Sequence, residues 1–291
     1  MSALGNRLFV LAQHLVPQHL LSRLTGYVAC CRVCWFKTRL INGFIARYGV
    51  DMQSARRESA EDYEHFNAFF TRRLKAHLRP IASGPLDIVS PADGTLGQFG
   101  ELDSDTLVQA KGHSYSLHEL LGGDAKRAVP FINGEYATIY LSPRDYHRVH
   151  MPVSGTLREM VYIPGKLFSV NSVTTGAVPR LFARNERVVC RFDTDRGPLA
   201  IVLVGAMIVS SIHTVWHGAV APHAGQIEAF TYEATEGGAI RLKKGEELGH
   251  FSLGSTVIIL FGPNQMQWDQ TMTSGKAVKY GAVIGNVNRQ V

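Results

Sequence analysis

The chain has 291 residues, is 45% hydrophobic and 19% charged, and so is neither disordered nor of low complexity. Four cysteines exclude a disulfide-stapled scaffold, and no apolar run of 18 residues marks a transmembrane helix. The net charge of +6 is uneven: residues 1–80 hold 12 Lys/Arg against 5 Asp/Glu, and six basic residues precede the first acidic one, Asp51. An acid-free basic segment calls for an anionic partner, either a membrane surface or nucleic acid.

Residues 1–80 read as a basic helical region. Leu4, Leu8, Leu11 and Leu15 form a helical stripe that Pro17 ends, and Pro17, Gln18 and His19 interrupt the apolar segment before any secretory cleavage site. Phe36, Leu40, Phe44 and Tyr48 repeat every four residues on a second helix. Phe66, Phe69, Phe70 and Leu74 make a third stripe beside Arg72, Arg73 and Lys75. Basic helices with large apolar faces lie in bilayer interfaces, whereas no nucleic-acid reader motif is present, so a membrane partner is expected and nucleic acid is not. Cys30 and Cys34 fall on one face of a continuous helix and read as small buried or membrane-facing thiols.

From residue 81 to 291 the pattern changes to short Val/Ile/Thr/Tyr-rich runs between Gly, Pro, Asp and Ser clusters. Ala137–Leu141, Val188–Phe192, Leu199–Ile212, Ile227–Phe230 and Thr256–Phe261 are the expected strands. The fold class expected is α+β: N-terminal amphipathic helices, then a mostly antiparallel β-sandwich or barrel carrying the chemistry.

Four clusters can bear chemistry. Ser90 to Thr95 holds Asp93 and Gly94 in what reads as a tight turn. Asp145 to Pro152 contains His147 and His150, which point to opposite faces of a straight strand. With no third ligand at a zinc spacing, no metal site is expected. Pro164 to Asn171 is a Gly-containing loop with Lys166, Ser169 and Asn171 that can meet an anion. In Phe251 to Ile258, Gly254 precedes Ser255; a glycine there leaves the serine hydroxyl free to reach its own upstream carbonyl.

At Leu253-Gly254-Ser255-Thr256 the chain resembles the pyruvoyl-dependent phosphatidylserine decarboxylases of bacteria and mitochondria. Phe66-Asn67-x-Phe69-Phe70-x-Arg72-x-Leu74-Lys75 with Arg79-Pro80-Ile81, then Pro91 to Gly94, Tyr146 to His150, Leu167 to Asn171 and Val204 to Ala206 follow in the family's order. His213, His217 and His250 depart from its bacterial pattern. The resemblance implies that Asp93, His150 and Ser255 form a charge relay for self-cleavage between Gly254 and Ser255. His150 deprotonates Ser255, Asp93 orients the imidazole, and the Gly254 carbonyl is attacked. The ester so formed eliminates to dehydroalanine, which hydrolyses to a pyruvoyl cofactor on a small chain, 255–291, paired with a large chain, 1–254.

The same resemblance implies that phosphatidylserine is decarboxylated to phosphatidylethanolamine through a Schiff base, the pyruvoyl carbonyl acting as electron sink. His147 is then the proton donor or a phosphate contact, and Ser169, Val170 and Asn171 contact the substrate. A heterodimer, further oligomerised or not, at the cytoplasmic face of the bacterial inner membrane is expected. A serine hydrolase using Asp93, His150 and Ser255 is the first alternative, although no Gly-x-Ser-x-Gly elbow surrounds Ser255. A non-enzymatic membrane adaptor is the second.

Overall fold

The computed structural model describes residues 3–110, 112–207, 211–221, 225–233, 238–252 and 255–288. Three helices lead the chain: α1 (Ala3–Leu15), α2 (Gln18–Ala29) and α3 (Cys34–Tyr48). Gly49, in the left-handed region at φ +65°, closes α3 by donating to the Ile45 carbonyl at 2.9 Å. None of the described helices is long and apolar enough to cross a membrane.

The third expected stripe is a five-residue helix, α4 (Phe66–Phe70), N-capped by His65 Nδ1. Phe66, Phe69 and Phe70 are buried and meet Phe44 of α3 at ring separations of 5.0–6.0 Å. This stripe is therefore core, at about 1.5–3 kcal/mol per buried ring, and not a lipid-facing surface. Leu74 lies beyond the helix in an isolated bridge with Ala55. Cys30 ends α2 and Cys34 begins α3, so the two thiols do not share a helix face.

The β region is built on a nine-stranded antiparallel sheet. Its path runs Glu228–Thr231, Gly155–Ile163, Arg187–Thr194, Gly197–Val204, Ser255–Phe261, Glu135–Leu141, Gly94–Glu101, Ala277–Val278, with Arg241–Leu242 also paired to Gly155–Ile163. Alternate residues enter two cores: Val257 and Ile259 face one, Ile258 and Leu260 the other. A sheet covered on both faces needs continuous apolar strands, which is why these runs were legible. The first core is closed by a four-stranded sheet (Gly218–Ala221, Ser211–Thr214, Glu247–Ser252, Arg148–His150) and a three-stranded one (Asp87–Val89, Val283–Val287, Met266–Trp268). The expected run Leu199–Ile212 is not one strand: it stops at Val204, and Ser211–Thr214 belongs to the four-stranded sheet.

The N-terminal helices are fastened to the loop after Pro164. Gln13 is 2% exposed and Gln18 6%. Gln13 Oε1 accepts from the Ser169 N–H (2.8 Å), and its Nε2 donates to Thr174 Oγ1 (3.1 Å). Gln18 Oε1 accepts from the Leu167 N–H (2.6 Å). Leu8, Leu15, Leu20, Leu24 and Tyr27, on the same two helices, are exposed.

His19 of α2 donates to the Gly165 carbonyl at 2.9 Å and lies 3.9 Å from the buried Glu186 carboxylate. Burial raises the Glu186 pKa from 4.5 to about 7, opposed by its bond from Tyr162. The folded chain thus holds a proton that the unfolded chain loses between pH 4.5 and 7, so this group's contribution to stability falls as pH rises through that window. Glu186→Gln is expected to match the wild type near pH 4.5 and to exceed it at pH 8 by up to about 3 kcal/mol in urea unfolding. A difference that does not grow with pH would contradict this.

Candidate active site

Ser255 opens the central strand of the large sheet and is wholly buried. Its Oγ has no hydrogen-bond partner among the described residues. Leu253 and Gly254, the other half of the expected scissile bond, lie outside the described residues. The register sets Ser255 opposite Leu141 and aligns Thr256, Tyr140 and Thr95 in one row across three strands. Asp93, just before Gly94–Glu101, is therefore two strand spacings from Ser255, on the order of 10 Å between backbones. Gly94 is needed for close approach: a Cβ there would lie 2.4 Å from the Tyr140 carbonyl oxygen.

Asp93 is 3% exposed, and its carboxylate is already engaged. Arg79 grips it through Nε (3.0 and 3.1 Å) and Nη2, and the Tyr280 N–H donates to it at 2.9 Å. Lys279 stands 3.7 Å away. A cleft of roughly 280 Å³ opens beside this group, bounded also by Arg72, Arg144 and Tyr146.

His150 sits on the edge strand Arg148–His150 and stacks on Tyr280, centroids 4.0 Å apart. Its Nδ1 is 2.9 Å from the Gly245 carbonyl, which can only accept, so Nδ1 carries the proton. Nε2 then accepts from Tyr146 Oη at 3.1 Å. Burial lowers the His150 pKa against the Gly245 bond, which keeps the ring neutral. Tyr280 thus stands between the two charge-relay candidates, with its ring on His150 and its N–H on Asp93. Among the described hydrogen bonds none joins Asp93 to His150, or either of them to Ser255.

His147 occupies a different environment, as its offset from His150 implied. It is wholly buried and stacks on Phe70 of α4 at 4.0 Å. Neither ring nitrogen has a hydrogen-bond partner of normal geometry among the described residues. Burial, reinforced by the Arg72 charge, lowers its pKa to about 3, with the nearby Ser142 and Pro143 carbonyls opposing. Its own carbonyl accepts from the Phe251 N–H at 3.1 Å. That bond ties His147 to Phe251, four positions before Ser255 in the chain.

The loop expected to meet the substrate is committed to structure. The N–H groups of Leu167, Phe168 and Ser169 are taken by Gln18, Asn185 and Gln13, and Asn171 Oδ1 caps Ser172–Thr175 through Thr174. Val170 is buried. His213 and His250 stack in parallel at 4.7 Å, and burial, then the His250 charge, lowers the His213 pKa to about 4. His217 packs on Phe230 at 4.8 Å. Among the described residues no group of three or more His, Cys, Asp or Glu is arranged to hold a metal ion. The partners Arg79, Tyr146, Gly245 and Tyr280 were not foreseen; of these, Arg79 and Tyr146 lay within sequence motifs already singled out.

The profile of the phosphatidylserine decarboxylase family matches residues 66–286, and a second, described as PSD, matches residues 8–49. A phosphatidylserine decarboxylase proenzyme of Ectopseudomonas mendocina is 59% identical over 280 residues, covering 96% of this chain and 98% of its own. Proenzymes of the same name from Pseudomonas aeruginosa (58%; 96% of each chain) and Pseudomonas fluorescens (56%; 97% of this chain, 99% of its own) are similar. These matches place the chain among the carboxy-lyases. It belongs to the phosphatidylserine decarboxylase family, which sets aside the hydrolase and adaptor alternatives.

Proposed function

We propose that the chain cuts itself between Gly254 and Ser255 and then, as a complex of residues 1–254 with 255–291, decarboxylates phosphatidylserine to phosphatidylethanolamine. Ser255 carries this proposal: an enclosed hydroxyl with no partner among the described residues heads the central strand of a chain similar to proteins named as proenzymes. Ser255 Oγ adds to the Gly254 carbonyl carbon, the Gly254–Ser255 C–N bond breaks, and an ester replaces the amide. Loss of the Ser255 α-proton then expels Gly254 as a carboxylate. Hydrolysis of the remaining dehydroalanine releases ammonia and leaves a pyruvoyl ketone. That ketone would condense with the lipid's serine amine and take up the electrons released with CO₂.

His150 is the proposed base for Ser255. The Gly245 carbonyl fixes its tautomer with the lone pair on Nε2, and that lone pair must exchange Tyr146 for the serine proton. Asp93 acts at longer range, as a negative charge beyond Tyr280. His147, held neutral until an anionic substrate arrives beside it, is proposed to handle the proton delivered after CO₂ leaves. Ser169, Val170 and Asn171 are proposed to border the substrate.

The chain is proposed to work as a peripheral protein on the cytoplasmic face of the inner membrane, with α1 and α2 against anionic lipid. Each exposed leucine that enters lipid contributes about 1.5–3 kcal/mol. Leu15→Ser/Leu20→Ser is therefore expected to weaken co-flotation with anionic vesicles more than 10-fold, and high salt to weaken it further. Unchanged flotation would remove these helices from the interface.

Intact mass spectrometry of freshly purified protein tests the central reading. Two masses are expected, for residues 1–254 and 255–291, the smaller blocked to Edman degradation. A single uncut chain that still releases CO₂ would overturn it.

A further inference from the structure

A second charged cleft, which shares Arg72 with the cleft beside Asp93, has a volume of about 380 Å³ and is bounded by Arg56, Arg57, Arg72, Arg73, Arg148 and Tyr63. Local pairing creates it. The Arg56 N–H donates to the Arg73 carbonyl at 2.8 Å, and the Lys75 N–H to the Ser54 carbonyl at 3.0 Å, so two arginine pairs are laid side by side. Arg148 Nε, donating to the Thr71 carbonyl at 2.9 Å, brings in the fifth guanidinium.

These five cations have little to neutralise them. Glu247, which pairs with Arg148 and Arg73, is the one carboxylate within ion-pair distance among the described residues. Arg57 donates to the Asp62 carbonyl at 3.0 Å, a neutral acceptor. Arg72 is 4% exposed. Its Nη2 reaches the Arg144 carbonyl at 2.8 Å, while Nε and Nη1 have no partner among the described residues. A buried guanidinium with no carboxylate at ion-pair distance among the described residues is costly, and burial lowers its pKa against the more distant charges of Asp145, Asp51 and Asp93. An anion in the cleft offsets that cost through its field, while the exposed Arg56 and Arg57 bond to it directly. The planar guanidinium fork matches phosphate oxygens two at a time.

We propose that this cleft binds a phosphate group, with Arg56 and Arg57 as its accessible donors and Arg72 as the buried cation beneath. The phosphate could come from the diester of an anionic phospholipid or from soluble phosphate. The site does not depend on the reaction proposed above, and phosphatidylglycerol, which lacks an amine, separates binding from turnover.

The test uses the full-length protein, the Arg56→Gln/Arg57→Gln variant, and Lys126→Gln/Lys243→Gln as a control that removes the same charge from exposed positions elsewhere. One arm titrates inorganic phosphate at constant ionic strength and reads the thermal midpoint. The other measures flotation with phosphatidylcholine vesicles with and without phosphatidylglycerol. A lipid phosphate predicts at least about a 10-fold loss of phosphatidylglycerol-dependent flotation in the arginine variant beyond that of the control. A soluble phosphate predicts a midpoint rise in the wild type and the control that the arginine variant lacks, with flotation equal in both variants. If the arginine variant and the control match in both arms, the site does not exist. Arg56→Gln alone, whose side chain makes no described bond, keeps the test decisive should the double variant misfold.

Discussion

Ser255→Ala is expected to remain a single chain and to release no CO₂ from phosphatidylserine. The substitution removes the proposed nucleophile and also the atoms from which the ketone would be made, so self-processing and decarboxylation fail together. Structural damage is expected to be small. The side chain is enclosed, its Oγ makes no bond to a described residue, and the backbone ladder to Leu141 is untouched. Removing an unpaired buried hydroxyl is close to neutral for stability. A denaturing gel and a labelled-CO₂ assay on one preparation decide the matter. Two chains in this variant would place the cut elsewhere, and CO₂ release from it would end the role given to Ser255.

His147→Ala is expected to cleave itself at least partly and to lose about 10²–10⁴-fold in decarboxylation rate, the span for a positioned acid or base. The ring is wholly buried, its nitrogens lack partners of normal geometry among the described residues, and its backbone carbonyl accepts from the Phe251 N–H. Burial and the Arg72 charge lower its pKa to about 3, so the proton role proposed for it would call for an anion beside the ring. His150, with both ring nitrogens bonded, is the residue whose loss should slow cleavage. Abolished cleavage in His147→Ala would move that residue into self-processing. Near-normal CO₂ release would make it a packing partner of Phe70. Circular dichroism must accompany both readings, because truncation leaves a cavity against that ring.

The sequence announced the strands that are covered on both faces, because Ile201, Val257 and Ile259 sit in continuous runs rich in apolar residues. It announced α1 through its leucine stripe. It did not announce α2, whose amphipathicity is inverted: Gln18, Ser22 and Ala29 are buried, while Leu20, Leu24 and Tyr27 face outward. α1 is built the same way, its stripe of Leu4, Leu8, Leu11 and Leu15 being exposed, so an apolar stripe in the sequence does not by itself say which face is packed. The helix expected through Leu74 stops at Phe70 because the following residues pair with the segment around Ala55, a contact that no local periodicity encodes. At the site, Asp93, His147, His150 and Ser255 were visible as motifs in order. Arg79 on Asp93, Gly245 on His150 and Gln13 on the Ser169 N–H were not, because each depends on register between segments 14, 95 and 156 residues apart.

The position of Ser255 has a consequence for how often the molecule can fold. Strand Ser255–Phe261 is bonded along one edge to Glu135–Leu141 and along the other to Gly197–Val204. Val283–Val287 is bonded to Asp87–Val89. A break before Ser255 therefore frees a piece that is stitched into two sheets of the larger one, and separating them means dismantling the core. The intact chain finds this arrangement as an intramolecular search. After the break, the same arrangement would require two molecules to meet in the correct register, with the translational entropy of association added. The processed protein would thus be durable through its unfolding barrier and poor at recovery, with one folding event per molecule.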